Sequence, residues 1–371
     1  KTGLVIDPYF SGSKLLWLFR NLPSLRKRKV LFGTMDSWLL WNFTAKSHAT
    51  DFSNASRTLL LNIRTRTWDK ELLKIFEVPA SCLPEARSSG GLFGKTARVG
   101  AFPAGIPVYS MMGDQQAALY GQACYEPGSM KNTYGTGCFL VLNTGAKKVR
   151  PKSGLLATLA CDRKGKPVYA LEGSIFIGGA AVQWIRDGLR LIGKARETEK
   201  MASQIPDTGG VYLVPAFVGL GAPYWDSRCR GGIFGITRGT GREAIVRAAL
   251  ESIAYQTVDV VRAMKKESRL AIRELKVDGG ATENNWLMQF QADMLGLPVA
   301  RSFVAESTAW GAAKLAGVAS GFWSDPAEVD RSLRYDRFSP RMSRARRETL
   351  YGGWQESVSR ILTLEGKSRW K

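Results

Sequence analysis

A carboxylate and a hydroxyl, each placed at a turn, are the side chains of this chain best suited to chemistry. Asp114 follows an apolar, strand-like run over residues 106–112, and Thr136 lies between Gly135 and Gly137. A carboxylate at a strand end can take the proton of an attacking hydroxyl. A turn with glycines of positive φ on both sides exposes backbone N–H groups that bind phosphate. Together they predict phosphoryl transfer to an alcohol.

Both residues also have an ordinary structural interpretation. Asp114 before Gln-Gln-Ala fits a helix N-cap, and Gly-Thr-Gly fits a simple hairpin turn. Gln115 offers a donor and an acceptor to a second substrate hydroxyl. These alternatives stay open on the residues alone.

Two further glycine-rich sites accompany this pair. The turn at 278–281 ends a strand, and Asn284 after it could hydrogen-bond a nucleotide base or cap the next helix. Gly178 and Gly179 lie in a predicted helix with Gln183, which indicates close approach of a ligand or another helix. No Walker A motif is present.

Strands and helices alternate along the chain, with the ligand-type turns at strand ends. This pattern predicts an α/β fold with sites at the strand termini. The predicted helices cover 67–76, 180–191, 243–264 and 284–295, and the predicted strands cover 106–112, 132–136, 138–143, 168–171, 211–214 and 275–280.

Composition narrows the possible chemistry. One histidine, His48, excludes Ser-His-Asp triads and His-rich metal sites, so a general base is expected to be a carboxylate, lysine or tyrosine. Five cysteines without a CxxC pair predict a reduced, cytoplasmic protein without zinc. No apolar run is long enough for a transmembrane helix.

The net charge of +21 is concentrated at residues 26–29 and 331–371. Such runs suit either a nucleic-acid patch or the solvated basic face of an enzyme of anionic substrates. No nucleic-acid module motif accompanies them, so we expect no nucleic-acid partner.

Several runs together resemble the glycerol kinases of the FGGY family of carbohydrate kinases, over essentially the whole chain. They are residues 6–14 with Trp17, 50–58, 113–118, 131–139, 219–226 and 277–280. The resemblance implies an actin-like, ribonuclease H-like pair of α/β domains with the active site between them. Residues 1–121 would be the C-terminal part of the N-terminal, glycerol-side domain, and 122–371 the C-terminal, nucleotide-side domain.

The resemblance also assigns the site residues. It implies phosphorylation of glycerol to sn-glycerol 3-phosphate with ATP and Mg²⁺, by a cytoplasmic homo-oligomer (dimer or tetramer). Asp114 would be the catalytic base, and no metal ligand is assigned in this chain. Glycerol would contact Tyr9, Asp114, Gln115 and Phe139, and the nucleotide would contact Thr136, Gly179, Gln183, Gly280 and Asn284.

The chain departs from the family pattern in one respect. Family members begin with an Asp-Gly-Thr phosphate loop, followed by an Arg-Glu pair and a Trp of the glycerol pocket, and these runs do not occur here. We therefore expect a partial sequence with impaired activity alone, lacking the aspartate that supports magnesium. In the loop over residues 98–106, where some members bind fructose 1,6-bisphosphate, Gly105 precedes Ile106, so we do not expect inhibition by that sugar.

Two other functions fit parts of the sequence. A sibling FGGY kinase would phosphorylate a pentose or another polyol, and turnover on glycerol, xylulose and gluconate would separate the two. A non-catalytic nucleotide-binding regulator would bind nucleotide without glycerol.

Overall fold

The computed structural model describes residues 1–363 of the chain. The first 121 residues form small, mostly two-stranded units between helices. Their helices are α1 (Ser11–Asn21), α2 (Met35–Phe43), α3 (Phe52–Ala55), α4 (Lys70–Ile75) and α5 (Asp114–Gly121), with 3₁₀ turns at Pro23–Lys27 and Ala80–Cys82. Their strands are β1 (Ala49–Asp51), β2 (Leu61–Asn62), β3 (Thr67–Trp68), β4 (Glu85–Arg87), β5 (Gly90–Lys95) and β6 (Pro107–Ser110).

The rest of the described chain is built on one large sheet. The strands of that sheet are β7 (Met130–Tyr134), β8 (Cys138–Gly145), β9 (Leu156–Cys161), β10 (Pro167–Ile175), β13 (Leu275–Asp278), β14 (Val299–Ser302) and β15 (Tyr335–Phe338), while β11 (Tyr212–Val214) and β12 (Gly232–Phe234) form a separate antiparallel pair. The helices of this part of the chain are α6 (Gly179–Asp187), α7 (Glu197–Ser203), α8 (Arg242–Ser268), α9 (Asn285–Leu295), α10 (Ser307–Ala319), α11 (Ala327–Asp330) and α12 (Arg344–Ile361), with a 3₁₀ turn at Gly280–Glu283.

The central sheet has seven strands in the order β15-β14-β13-β7-β8-β10-β9. β13 runs parallel to both β7 and β14, whereas β7, β8, β10 and β9 pair antiparallel. Because β7 and β13 are parallel neighbours, both end at the same edge of the sheet. The turns after Tyr134 and Asp278 therefore lie side by side, which is where ligands bind in such sheets.

The long helix α8 packs across this sheet and supplies much of the core. Nearly all of its residues from Val246 to Met264 are buried, because the sheet and α9 cover it. It ends at Ser268, and the C-cap residue Arg269 adopts a left-handed φ of 54°. None of the helices in the described part of the chain has the length and apolar character needed to cross a membrane.

The α/β character and most predicted elements agree with the structure, with two local exceptions. The helix predicted over residues 67–76 is wrong at its start: Thr67–Trp68 is a strand, and α4 begins after the N-cap Asp69. The helix predicted over 180–191 ends already at Asp187, followed by Gly188.

The buried carboxylate of Asp259 on α8 anchors the C-terminal helix α12. It accepts hydrogen bonds from the Tyr351 hydroxyl at 2.5 Å and from the Trp354 indole N–H at 2.8 Å. Burial raises the pKa of the Asp259 carboxyl from 3.8 to about 6, although these hydrogen bonds oppose the shift. The folded protein therefore binds this proton more tightly than the unfolded chain does.

This shift predicts that Asp259 makes stability fall as the pH rises. Its contribution is fully present below pH 3.8 and is lost as the pH rises through 6. We expect the difference in unfolding free energy between wild type and Asp259→Asn to change by about 2 kcal/mol between pH 4 and pH 7, in favour of wild type at pH 4. Urea unfolding at several pH values measures this, and a constant difference would contradict it.

Candidate active site

Two glycine turns form adjacent parts of the site at the edge of the central sheet. The first, Gly135–Thr136–Gly137, joins β7 to β8, and the second, Gly279–Gly280, follows β13. Gly279 has a φ of 93°, and a Cβ there would lie 2.5 Å from the carbonyl oxygen of Tyr134. The second turn therefore needs glycine both for its conformation and for its packing against the end of β7.

The expectation of positive φ on both sides of Thr136 is wrong. Neither Gly135 nor Gly137 has positive φ, and the N–H of Gly135 bonds to the carbonyl of Gly137 at 2.9 Å. A Cβ on Gly137 would lie 2.3 Å from the carbonyl oxygen of Ile175. Close backbone packing, rather than a phosphate nest, explains this glycine, while Thr136 stays exposed at the tip.

The paired glycines before α6 allow the helix to begin directly on this first turn. The N–H groups of Gly178 and Gly179 bond to the carbonyls of Thr136 (2.8 Å) and Gly135 (2.9 Å). A Cβ on Gly179 would lie 2.7 Å from that Gly135 oxygen. The pair thus stands at the helix N-terminus rather than inside the helix, and the close neighbour is the Gly-Thr-Gly turn.

A cavity of ≈ 410 Å³ opens between these turns, α6, α7 and α9. It brings together all five residues that the family resemblance assigns to the nucleotide: Thr136, Gly179, Gln183, Gly280 and Asn284. A Cβ on Gly280 would meet no atom within 4 Å, so this turn leaves open space. The cavity has the size of a small-molecule site.

Sequence reasoning missed the charged residues of this cavity. Arg186 lies three positions after Gln183 and therefore on the same face of α6, a spacing that could have identified it. Arg196 is the N-cap residue of α7 and Glu199 lies in the first turn of that helix, where no motif marks them. Glu283 also lines the cavity, so two arginines and two glutamates balance in formal charge, and Arg186 pairs with Asp187 at 2.7 Å. The arginines can contact an anionic group of a ligand, but the lining as a whole carries no net charge.

Asn284 both caps a helix and lines the cavity. Its Oδ1 accepts the N–H of Leu287 at 2.9 Å as the N-cap of α9, and its Nδ2 donates to Thr198 at 3.1 Å. The capping interpretation is therefore correct for Asn284. Its polar atoms are held within the protein, at the cavity wall.

Asp114 is not the N-cap of its helix. It is the first residue of α5, Gly113 occupies the cap position without a side-chain bond, and the Asp114 side chain is exposed. Its Oδ1 accepts the backbone N–H of Gln115 at 2.8 Å, and its Oδ2 accepts Gln115 Nε2 at 3.0 Å. The carboxylate thus remains available to a substrate at the helix N-terminus, where negative charge is favoured.

Gln115 is in turn held by Lys131 on β7, a residue that sequence reasoning did not single out. The ammonium of Lys131 is fully buried and donates to Gln115 Oε1 at 2.5 Å and to Thr133 Oγ1 at 2.8 Å. Phe139 on β8 is the register partner of Thr133, so its half-buried side chain shares a sheet face with this cluster.

Tyr9 lies shortly before α1 and is 56% exposed. The guanidinium carbon of Arg57 lies over its ring, 5.5 Å from the ring centroid. Arg57 forms an ion pair with the buried Glu172 on β10 and interacts electrostatically with Asp114. Arg57 therefore connects Tyr9 to the central sheet and to the vicinity of Asp114.

The carboxylates near the site determine how a metal ion could be held. Among residues 1–363, no group of three or more His, Cys, Asp or Glu side chains could hold one. Asp114 is an accessible carboxylate whose oxygens keep free lone pairs. Mg²⁺ is commonly held by one or two carboxylates together with substrate phosphates, so these residues fit an ion carried by a nucleotide and not a protein-only cage.

Comparison with known families matches two adjoining parts of the chain. Residues 1–121 match the N-terminal domain of the FGGY family of carbohydrate kinases, and residues 130–320 match its C-terminal domain. Glycerol kinase 2 of Thermotoga maritima is 56% identical over 371 residues, which is 98% of this chain and 75% of that protein.

Solved structures give the same fold. A glycerol kinase from Plasmodium falciparum, crystallised with ADP, superposes with a TM-score of 0.91 at 38% identity, covering 98% of this chain and 74% of that one. A ligand-bound xylulose kinase from Lactobacillus acidophilus, 21% identical, has a TM-score of 0.83 over 97% of this chain and 72% of its own, and shows the fold alone. The fold is the two-domain actin-like, ribonuclease H-like fold. The chain belongs to the FGGY family of carbohydrate kinases.

Proposed function

We propose that the protein phosphorylates glycerol to sn-glycerol 3-phosphate with ATP. The observation that carries the proposal is the position of the Asp114 carboxylate, exposed at the start of α5 and linked through Gln115, Lys131 and Thr133 to the strand that leads into the Gly-Thr-Gly turn. The identity of 56% with a protein named glycerol kinase supports glycerol as the acceptor.

In this proposal, Asp114 takes the proton of the attacking hydroxyl, while Tyr9, Gln115 and Phe139 line the glycerol site. The nucleotide occupies the ≈ 410 Å³ cavity, along Thr136, Gly179, Gln183, Gly280 and Asn284. Gln115 and Lys131 link the base to β7, and the cavity is lined by the residues at the end of that strand, so acceptor and nucleotide would both bind along β7.

Asp114 is the residue that could contact a Mg²⁺ ion held mainly by the nucleotide phosphates. When bound, the ion neutralises charge on the transferred phosphoryl group. The residues of this chain supply the other functions: they orient the acceptor hydroxyl, receive its proton and hold the nucleotide.

The proposal is tested by assaying phosphorylation of glycerol, xylulose and gluconate. We would use this chain alone and a fusion of it behind the part of the T. maritima relative that it does not match (the fusion protein). We expect glycerol turnover by the fusion protein, with little or none by the chain alone. Turnover of xylulose or gluconate in preference to glycerol would indicate the sibling kinase, and ADP binding without any turnover would indicate a non-catalytic regulator.

The nucleotide site is tested through Gly280. Because Gly280 has a negative φ and open space around it, Gly280→Ala is expected to fold normally. Its methyl group would enter the cavity and weaken ADP binding about tenfold, or about 1.4 kcal/mol. Calorimetry with ADP measures this, with Gly352→Ala on the exposed face of α12 as the control. Equal affinity of the two variants would contradict the placement.

Three further expectations belong to the proposal. They are a domain boundary near residue 121, a cytoplasmic location and assembly into a dimer or tetramer. Light scattering of the purified protein tests the last of these, and no nucleic-acid partner is proposed.

A further inference from the structure

The ammonium of Lys131 is an unusual group to find fully buried beside a proposed active site. It lies on β7 with a 0% exposed side chain. A buried lysine is costly unless its N–H groups are satisfied, and here two of them donate to Gln115 Oε1 and Thr133 Oγ1. Burying this cation therefore stabilises one particular arrangement of Gln115.

Carboxylates surround this ammonium from three elements. Asp278 at the end of β13, Asp114 on α5 and Glu172 on β10 all interact with it electrostatically. Asp278 is the register partner of Thr133, is 5% exposed, and its Oδ1 has no hydrogen-bond partner within residues 1–363. Burial lowers the pKa of Lys131, and these carboxylates oppose the shift.

The contact with Lys131 fixes which end of the Gln115 amide faces which neighbour. An ammonium has three donors and no acceptor, so the amide oxygen must point toward it. The amide nitrogen then points to Asp114 Oδ2, which it reaches at 3.0 Å. A reversed amide would place donor against donor at Lys131 and acceptor against acceptor at Asp114.

The oxygen of Gln115 is directed toward the buried ammonium of Lys131, so the amide nitrogen is the group that faces Asp114 and the substrate proposed to bind there. Its nitrogen carries two N–H groups, and one of them is used by Asp114. The sequence alone allowed Gln115 to act as donor or acceptor toward a second hydroxyl, whereas in the structure the group on the Asp114 side is the amide nitrogen, with one free N–H.

We propose that Lys131 is a positioning residue that makes Gln115 a hydrogen-bond donor toward the acceptor substrate. The inference rests on the proposed function for the identity of that substrate. The atom next to Gln115 must then offer a lone pair, as a hydroxyl oxygen does and an ammonium group does not. Lys131 thereby selects a neutral polyol over its protonated amino analogues, because an ammonium group would face a donor.

The first test uses the 371-residue chain and needs no turnover. With ¹⁵N-labelled glutamine, the side-chain amide of Gln115 is expected to give dispersed, slowly exchanging N–H signals. In Lys131→Met the amide loses its anchor, so its hydrogen exchange should accelerate about tenfold and its signals should move toward those of an exposed glutamine. Unchanged Gln115 signals in Lys131→Met would overturn the proposal.

A matched lysine provides the control for this experiment. Lys276 on the neighbouring strand β13 bonds to the carbonyl of Gln122 at 2.7 Å, and no contact joins it to Gln115 within the described chain. Lys276→Met should leave the Gln115 signals as they are in wild type. A change as large as that of Lys131→Met would show a general effect of losing a lysine from the sheet, and would also overturn the proposal.

The second test uses the fusion protein and compares glycerol with 2-amino-1,3-propanediol and 3-amino-1,2-propanediol at pH 7. We expect wild type to prefer glycerol over the better amine, in kcat/KM, by at least 100-fold. Lys131→Met should reduce this preference at least tenfold, because the freed amide can turn its oxygen to the ammonium. An unchanged preference would overturn the proposal.

If Lys131→Met does not fold, the variant Gln115→Glu tests whether Gln115 donates a hydrogen bond to the substrate. Glutamate has the same shape but only acceptors, so a donor role predicts loss of glycerol turnover by about 100-fold, with ADP affinity unchanged. Retained turnover would mean that the oxygen faces the substrate, against the proposal. If wild-type fusion protein does not phosphorylate glycerol at all, the proposed function fails, and the amide signals still decide the role of Lys131.

Discussion

Replacing Asp114 by alanine is expected to lower kcat for glycerol phosphorylation by about 10³-fold in the fusion protein. General-base catalysis contributes roughly 10²–10⁴-fold, and alanine cannot accept the proton of the attacking hydroxyl. The side chain of Asp114 is exposed at the start of α5 and is not part of the nucleotide cavity. ADP affinity should therefore stay within about threefold of wild type.

The control for Asp114→Ala is a variant that loses a carboxylate at another position of the chain. Glu356 lies on α12 and pairs with Arg360 at 2.5 Å, in an exposed i,i+4 ion pair of small energetic value. Glu356→Ala should keep kcat, ADP affinity and the unfolding midpoint close to wild type. If Asp114→Ala retained more than a tenth of the wild-type kcat, another group would have to be the base.

The residues that line the cavity proposed for the nucleotide could be singled out from sequence because they stand where the chain must turn. Gly179 and Gly280 flank strand and helix ends, so their types alone indicate close packing or open space. The reason given for Gly137 was nevertheless wrong, since a neighbouring carbonyl from β10 requires the glycine and its φ does not. A sequence shows where a glycine stands, but it does not show which neighbouring atom leaves no room for a Cβ there.

Lys131 shows why the remainder of the site could not be predicted. Lys131 is a single charged residue within the run that forms β7, and lysines are usually exposed, so nothing in the sequence was a reason to expect it to be buried. Its surroundings include Gln115 from α5, which packs against the sheet, and Asp278 from the neighbouring strand β13, and only the folded chain brings these residues beside it. The same holds for Arg57, whose partner Glu172 belongs to a distant strand.

The packing of α5 depends on a reciprocal contact between two glycines. A Cβ on Gly311 of α10 would lie 1.9 Å from the carbonyl oxygen of Ala117, and a Cβ on Gly121 of α5 would lie 2.1 Å from that of Ser307. The two backbones are therefore in direct contact, and no flexible side chain lies between them to yield. Since Asp114 begins α5, this contact also sets the position of the proposed base.

Gly311→Ala is accordingly expected to destabilise the fold by about 2–4 kcal/mol, since the helices must separate to admit the methyl group. The same substitution at Gly352, where a Cβ on α12 meets nothing within 4 Å, should be neutral or stabilising by up to about 1 kcal/mol through helix propensity. Urea unfolding of the two variants beside wild type measures the contrast. Equal midpoints for both would mean that α5 and α10 are not in backbone contact in solution, and the position assigned to Asp114 would then lose its structural support.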